Sequence, residues 1–188
     1  MICVDEKSKQ LLEQLRAPIP ASPGHPVKED CEYKRAGTRN IFMAVEPKGG
    51  CRQVEVTTRR TKGDFVQFIG HLVKKVYGRA RKIHLVLDNL NTHFRSSFEE
   101  ILGVKEATQM LERVEFHYTP KHASWLNMAE IEIGIMDRQC TGCRIPNEQT
   151  LRSEVAAWTD RRNQAKSTID WKFTRQDADQ KLSRQYIS

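Results

Sequence analysis

The segment that most constrains the fold is a short apolar run from Lys82 to Leu87, which ends abruptly at Asp88 and Asn89. Such a run predicts a strand of the parallel type, because parallel strands are covered on both faces and show little polar alternation. The sequence therefore predicts a strand at Lys82 to Leu87 that is buried on both faces of a sheet.

The segments before this run have the pattern of an antiparallel hairpin. Asn40 to Glu46 and Cys51 to Thr58 are strand-like, and Pro47 to Gly50 between them is a turn signal. Ahead of the hairpin, four prolines and one glycine lie between Ala17 and Pro26. Because proline fixes φ and removes an N–H donor, we predict a loop there.

The remaining segments alternate between helix and strand. Apolar residues at helical spacing between Gly63 and Tyr77 predict a helix. A helix interrupted at Gly103, a strand and two more helices follow: Arg95 to Glu112, Arg113 to Tyr118, Asn127 to Gln139 and Glu148 to Asn163. Strands that first meander and then alternate with helices predict an α/β fold, with a mixed central sheet flanked by helices. The RNase H-like fold has this order, and so do other α/β arrangements.

The charge balance favours a polyanionic partner. The chain of 188 residues has 31 lysines and arginines against 24 aspartates and glutamates, a net charge of +7, and its pI is near 9.3. A basic domain is predisposed to bind nucleic acid, although many soluble proteins carry such a surplus by chance. No apolar run approaches the roughly 18 residues that span a bilayer. The N-terminus also lacks a secretory pattern, so we expect no membrane partner and a reducing cytosol.

The five cysteines are odd in number and scattered, which agrees with a reducing compartment. Only Cys140 and Cys143 have a ligand-like spacing. A structural zinc ion needs four ligands, and the sequence has no second pair at similar spacing. We therefore expect incidental thiols here, with a zinc site as the minor alternative.

Two aspartates follow apolar, strand-like runs. Asp5 ends the run that begins at Ile2, and Asp88 ends the run that begins at Lys82. In α/β sheets, ligands gather beyond the carboxyl ends of strands. Two carboxylates on adjacent strands would repel each other unless a cation lay between them, and such oxygen ligands suit Mg²⁺ or Mn²⁺. For either aspartate alone, an ordinary turn or cap role is the simpler alternative.

A third carboxylate, Glu130, lies on the helix predicted from Asn127. The spacing of these two residues is also that of a capping box, so Glu130 could merely complete the start of the helix. Glu132 falls on another face of this helix, where we expect it to be solvated. It is nevertheless the nearest rival to Glu130 as a metal ligand.

Five segments, in this order, carry a resemblance: Val4 to Ser8, Tyr33 to Phe42, Ile83 to Asn89 with Thr92 and His93, Phe116 to Pro120, and Ala123 to Glu130. Together they resemble bacterial insertion-sequence transposases of the mariner-like DDE superfamily. The resemblance implies an RNase H-like catalytic core in which Asp5, Asp88 and Glu130 hold two divalent ions, Mg²⁺ or Mn²⁺. One ion would activate water or a DNA 3′-hydroxyl, and the other would stabilise the leaving 3′-oxygen.

The resemblance and the local basic charge together predict a set of DNA-binding residues: Lys34, Arg35, Arg39, Asn89, His93, Lys121, His122 and Trp125. Asn89 and His93 would position the second aspartate or contact phosphate. A surface position, or the start of a helix, is the alternative for His93. Trp125 would stack on an extruded base, with a core or lid role as its alternative.

The resemblance also sets the expected organisation of the chain. We expect a catalytic domain at residues 1–166 and a C-terminal tail at residues 167–188. Complete transposases of this kind carry an N-terminal helix-turn-helix module that recognises the element's ends. Since Met1 lies only four residues before Asp5, we expect that module to be absent and the first strand to be clipped.

The expected function is DNA cleavage and strand transfer during transposition of an insertion sequence. The expected partners are double-stranded transposon ends and target DNA, bound by a homodimer in the bacterial cytoplasm and associated with the nucleoid. One alternative is an inactive remnant that binds DNA or assists assembly. Another is a host RNase H-like nuclease or resolvase, which the five ordered segments fit poorly.

Overall fold

A computed structural model describes residues 1–182 and contains a mixed five-stranded sheet. Its strands are β1 (Ile2–Gln14), β2 (Tyr33–Glu46), β3 (Cys51–Thr57), β4 (Ile83–Leu87) and β5 (Val114–Tyr118). The spatial order is β3-β2-β1-β4-β5. β1, β2 and β3 pair antiparallel, whereas β1, β4 and β5 pair parallel. This topology confirms the predicted α/β class with a mixed central sheet.

The helices follow the predicted order along the chain. They are α1 (Lys62–His71), α2 (Arg95–Leu102), α3 (Val104–Leu111), α4 (Met128–Met136), α5 (Glu148–Gln164) and α6 (Arg175–Leu182). α1 and α4 continue into π-helical turns at Leu72–Val76 and Asp137–Thr141. Gly103 separates α2 from α3 as predicted, because its φ of 79° is a conformation that favours glycine.

Helices cover both faces of the sheet. α1, α2 and α3 pack on one face, where Phe65, Leu85 and Phe98 are fully buried. α5 and the end of α4 pack on the other face, around Met43 and Trp158. Burying each of these large apolar side chains contributes roughly 1.5–3 kcal/mol. Because side chains alternate along a strand, consecutive residues of β1 face different sets of helices.

The first strand is much longer than the sequence suggested. We expected a clipped strand ending at Asp5, but β1 continues to Gln14 and pairs with β2 along its length. The prediction failed because residues 6–10 are all polar and show no apolar strand pattern. An antiparallel ladder is nevertheless held by backbone hydrogen bonds, whatever the side chains are. Leu11, which is buried against α5, adds an apolar anchor near the far end. Asp5 is therefore held inside a paired strand.

The predicted loop around the prolines lies between β1 and β2 and has only isolated bridges, such as Ile19 with Lys28. At the other end of the chain, the predicted tail contains α6, and residues 183–188 lie outside the described part. No helix within residues 1–182 combines the length and apolar character needed to cross a bilayer.

Candidate active site

The register between β1 and β4 brings the two predicted aspartates together. Ile2 pairs with Leu85 and Cys3 with Val86, so the same register carried forward sets Asp5 level with Asp88. Adjacent strands lie about 4.8 Å apart. Asp88 directly follows β4, as predicted, whereas Asp5 lies within β1 at the point where the neighbouring parallel strand ends.

Asn127 fixes the position of the third carboxylate. This buried side chain caps α4 by accepting from the Ala129 amide at 3.2 Å, and it donates to the Val4 carbonyl at 2.8 Å. The Asn127 amide itself donates to the Ser124 carbonyl at 2.7 Å, so it is not the partner of Glu130 in a capping box. Glu130 thus occupies the first turn of a helix anchored to the residue before Asp5.

The electrostatics of Asp5 reflect the nearness of the other two carboxylates. Burial above all, together with the charges of Glu6, Asp88 and Glu130, raises the pKa of Asp5 to about 7, although the Glu6 amide, which donates to its carboxylate at 2.8 Å, opposes the shift. Negative charge is therefore concentrated here, a situation that a bound cation relieves. The all-carboxylate donor set fits the hard-ion chemistry of Mg²⁺ or Mn²⁺.

The buried His93 side chain forms hydrogen bonds with both Asp88 and Glu6, the residue that follows Asp5 in β1. His93 Nδ1 lies 2.6 Å from Asp88 Oδ1, and its Nε2 lies 2.9 Å from Glu6 Oε2. Burial lowers the pKa of His93, but its bonds to the two carboxylates outweigh that effect and raise the pKa to about 9. Burial likewise opposes ionisation of Asp88, yet His93 holds the pKa of Asp88 below its ordinary value.

The His93 side chain is 0% exposed, so it does not face solvent where DNA would bind, and its predicted DNA contact stays a prediction. The same burial rules out the alternative of a surface position. Of its two roles in the sequence analysis, orienting Asp88 is the one that its geometry fits. Sequence reasoning missed Glu6 altogether. The available signal was strand alternation, which turns Glu6 to the face opposite Asp5.

Glu132 is not solvated, which corrects the sequence expectation. Its side chain is 0% exposed and receives two bonds from Arg52, at 2.8 and 3.0 Å, and two from Arg162, at 2.8 and 3.1 Å. Burial disfavours its charge, but the two guanidinium groups lower the pKa of Glu132. With its oxygens held by two arginines, Glu132 is excluded as the rival metal ligand.

A groove of about 460 Å³ borders Asp88 and brings together several predicted DNA-binding residues. Asn89, Lys121 and His122 line it, and the Asn89 amide donates to the Thr119 carbonyl. Since Lys121 and His122 are exposed there, their side chains can reach a phosphate lying along the groove.

The other predicted DNA-binding residues lie elsewhere. Lys34 and Arg35 are exposed on β2 opposite Glu13 and Leu12, roughly 26 Å along β1 from Asp5. Arg39 is paired with Glu148.

Trp125 is half-buried, with its ring centroid 5.1 Å from that of Phe173 and with Lys181 Nζ 5.1 Å above it. This packing fits the core or lid role that was the alternative for Trp125. Because Phe173 and Lys181 contact the ring here, its stacking on a base stays a prediction.

Cys140 and Cys143 are free thiols, and Cys143 Sγ donates weakly to the Cys140 carbonyl at 3.5 Å. Within residues 1–182, neither belongs to a group of three side chains that could hold a metal ion.

Comparisons with known proteins agree with this geometry. Among solved structures, the Mos1 strand transfer complex matches with a TM-score of 0.54 and 14% identity, over 85% of this chain and 46% of that one. The Mos1 transposase paired-end complex with left transposon end matches with a TM-score of 0.54 and 11% identity, over 85% and 47%. These similarities establish the RNase H-like fold, and this chain spans less than half the length of the Mos1 chains.

Comparison with curated protein sequences finds no match. The family model described as DDE superfamily endonuclease, however, matches residues 1–152. Asp5, Asp88 and Glu130 all fall within the matched region. This chain belongs to the DDE superfamily endonucleases.

Proposed function

We propose that this chain is the catalytic domain of an insertion-sequence transposase. It would cleave DNA phosphodiesters and transfer the strand, with two Mg²⁺ or Mn²⁺ ions held by Asp5, Asp88 and Glu130. The observation that best supports the proposal is the register of β1 with β4, which sets Asp5 level with Asp88, together with the Asn127 bond to Val4, which holds the start of the Glu130 helix beside β1. The charges of Asp88 and Glu130 help to raise the pKa of Asp5, and this repulsion supports a cation between the three carboxylates.

The protein's own groups would position and orient the reacting parts. When bound, the two ions would lower the pKa of the attacking hydroxyl and neutralise charge at the phosphate. His93 would hold Asp88 in one orientation, with Glu6 keeping the imidazole charged. Lys121 and His122 would supply positive or donor groups along the groove that leads to Asp88.

The proposed partner is double-stranded DNA, both transposon ends and target. The two Mos1 structures are a strand transfer complex and a paired-end complex with the left transposon end. The net charge of +7 supports a polyanionic partner here. Since two ends must be joined, a homodimer on DNA belongs to the proposal, as does a nucleoid-associated location in a bacterial cytoplasm.

Metal binding tests the proposal directly. Calorimetry with Mn²⁺ should show binding to the wild type, loss of binding in Asp88→Asn, and no change in Asp170→Asn. Asp170 is a matched control because its side chain is 82% exposed. A wild type that is folded but binds no Mn²⁺ would contradict the proposal and favour an inactive remnant.

DNA nicking tests the catalytic part of the proposal. The wild type with Mg²⁺ should convert supercoiled plasmid to the nicked form, and EDTA or Asp88→Asn should prevent the conversion. If Asp88→Asn nicks as fast as the wild type, the assigned centre is wrong.

A further inference from the structure

A second group of potential metal ligands lies away from the three carboxylates. It consists of His84 on β4 with Glu115 and His117 on β5, and their ligand atoms all lie within 4.8 Å of one another. His84 pairs with Glu115 in the parallel ladder, and His117 lies two residues further on, so all three side chains share one face of the sheet. We propose that this group binds a divalent transition-metal ion of the Zn²⁺ or Co²⁺ type.

The site is distinct from the proposed catalytic centre. His84 precedes Asp88 by four residues, which corresponds to roughly 13 Å along the strand. β5 forms the edge of the sheet, and the three side chains are 42–43% exposed. An ion therefore has access from solvent and open coordination positions for water.

The distances fit ligands of a single ion. His84 Nδ1 and His117 Nε2 are 2.9 Å apart. Two nitrogens bound to one ion at about 2.1 Å lie about 2.9–3.4 Å from each other. The Glu115 oxygens lie 3.4 Å from His117 Nε2 and 3.8 Å from His84 Nδ1. Small side-chain rotations are enough to direct all three ligand atoms at one point.

The donor set selects the class of metal. Imidazole nitrogens suit Zn²⁺, Co²⁺, Ni²⁺ and Cu²⁺, whereas Mg²⁺ prefers oxygen ligands. The two imidazoles and one carboxylate of this group would therefore favour transition metals over the ions proposed for Asp5 and Asp88. The two sites should respond to different metals.

Two features of the metal-free group compete with the ion. The His84 and His117 rings stack at 5.2 Å and share a hydrogen bond, which metal binding would replace. Lys82 pairs with Glu115 and adds a positive charge. Because Lys82 is 60% exposed, this pair is weak and a divalent ion can displace it. Removing Lys82 should therefore strengthen metal binding.

The test uses untagged, metal-free protein carrying Asp88→Asn, so that the carboxylate centre does not compete for the metal. Zn²⁺ calorimetry and Co²⁺ absorption should show one bound ion. Adding His84→Ala or His117→Ala should weaken binding by about 10-fold or more, and Lys82→Ala should strengthen it. His25→Ala is the control, since His25 lies in the loop between β1 and β2 and its affinity should not change.

Circular dichroism checks that each variant is folded. Absence of Zn²⁺ binding, or affinity unchanged by His84→Ala and His117→Ala, would overturn the inference. Either result would leave Mn²⁺ binding by the wild type intact, so failure here is distinguishable from failure of the proposed catalytic centre.

Discussion

Replacing Asp5 by asparagine should stabilise the metal-free protein while abolishing Mn²⁺ binding at the proposed carboxylate centre. The Asp5 carboxylate is buried and lies near the charges of Glu6, Asp88 and Glu130. Without a cation, its ionised form is therefore unfavourable in the folded state. Asparagine removes the charge, and its carbonyl oxygen can still accept the bond from the Glu6 amide. The variant should lose a metal ligand and gain stability in the same step.

The size of the effect follows from the pKa. The pKa of Asp5 is about 7 in the folded protein against an ordinary value of 3.8, and the difference, 7 − 3.8 = 3.2, corresponds to about 4 kcal/mol. Because the folded-state pKa is raised, stability is greatest below the unfolded pKa and is lost as pH rises through the folded pKa. About 2 kcal/mol of the loss falls between roughly pH 5.5 and pH 8.

Urea unfolding in EDTA at these two pH values measures the effect. The free energy of unfolding of Asp5→Asn, minus that of the wild type, should increase by about 2 kcal/mol from the lower to the higher pH. His93, whose pKa is about 9, also loses stabilising charge as pH rises, but it does so in both proteins and cancels. A difference that stays constant with pH would refute the reasoning. Added Mn²⁺ should then stabilise only the wild type.

Three further substitutions test the supports of the site. His93→Ala should weaken Mn²⁺ binding by about 10-fold or more in calorimetry, since Asp88 loses the group that orients it; unchanged affinity would contradict that role. Asn127→Ala should cost about 2 kcal/mol in urea unfolding, through the lost cap and the lost buried bond to Val4, and should lower nicking activity. Glu132→Gln should cost about 3–5 kcal/mol, because it leaves the buried Arg52 guanidinium without a counter-charge; a wild-type unfolding midpoint would argue against the burial seen here.

The order of the elements could be predicted from the sequence because each depends on local signals. The apolar run that became β4, the turn at Pro47 to Gly50 and the interruption at Gly103 are all encoded within a few residues. The extent of β1 could not be predicted in this way. Its polar residues are held by a partner strand that begins about twenty residues later, and no local periodicity reports such pairing.

The buried charges of this domain escaped prediction for a related reason. Glu132 lies between Ile131 and Ile133, and a carboxylate on a helix is usually solvated. Its burial depends on Arg52 from β3 and Arg162 from α5, which are 80 and 30 residues away. Helical periodicity gives the face on which a residue lies, but not the groups that meet that face in the folded chain.

Asp5 and Glu6, which are adjacent in β1, lie on opposite faces of the sheet, and each supports a different part of the proposed site. Asp5 faces the side of α4, where Asn127 holds the helix that carries Glu130. Glu6 faces the side of α2, where it holds His93 and, through it, Asp88. A slip of β1 by one residue would exchange these faces and remove both arrangements at once. The long antiparallel pairing of β1 with β2, which resists such a slip, thus helps to build the proposed metal centre.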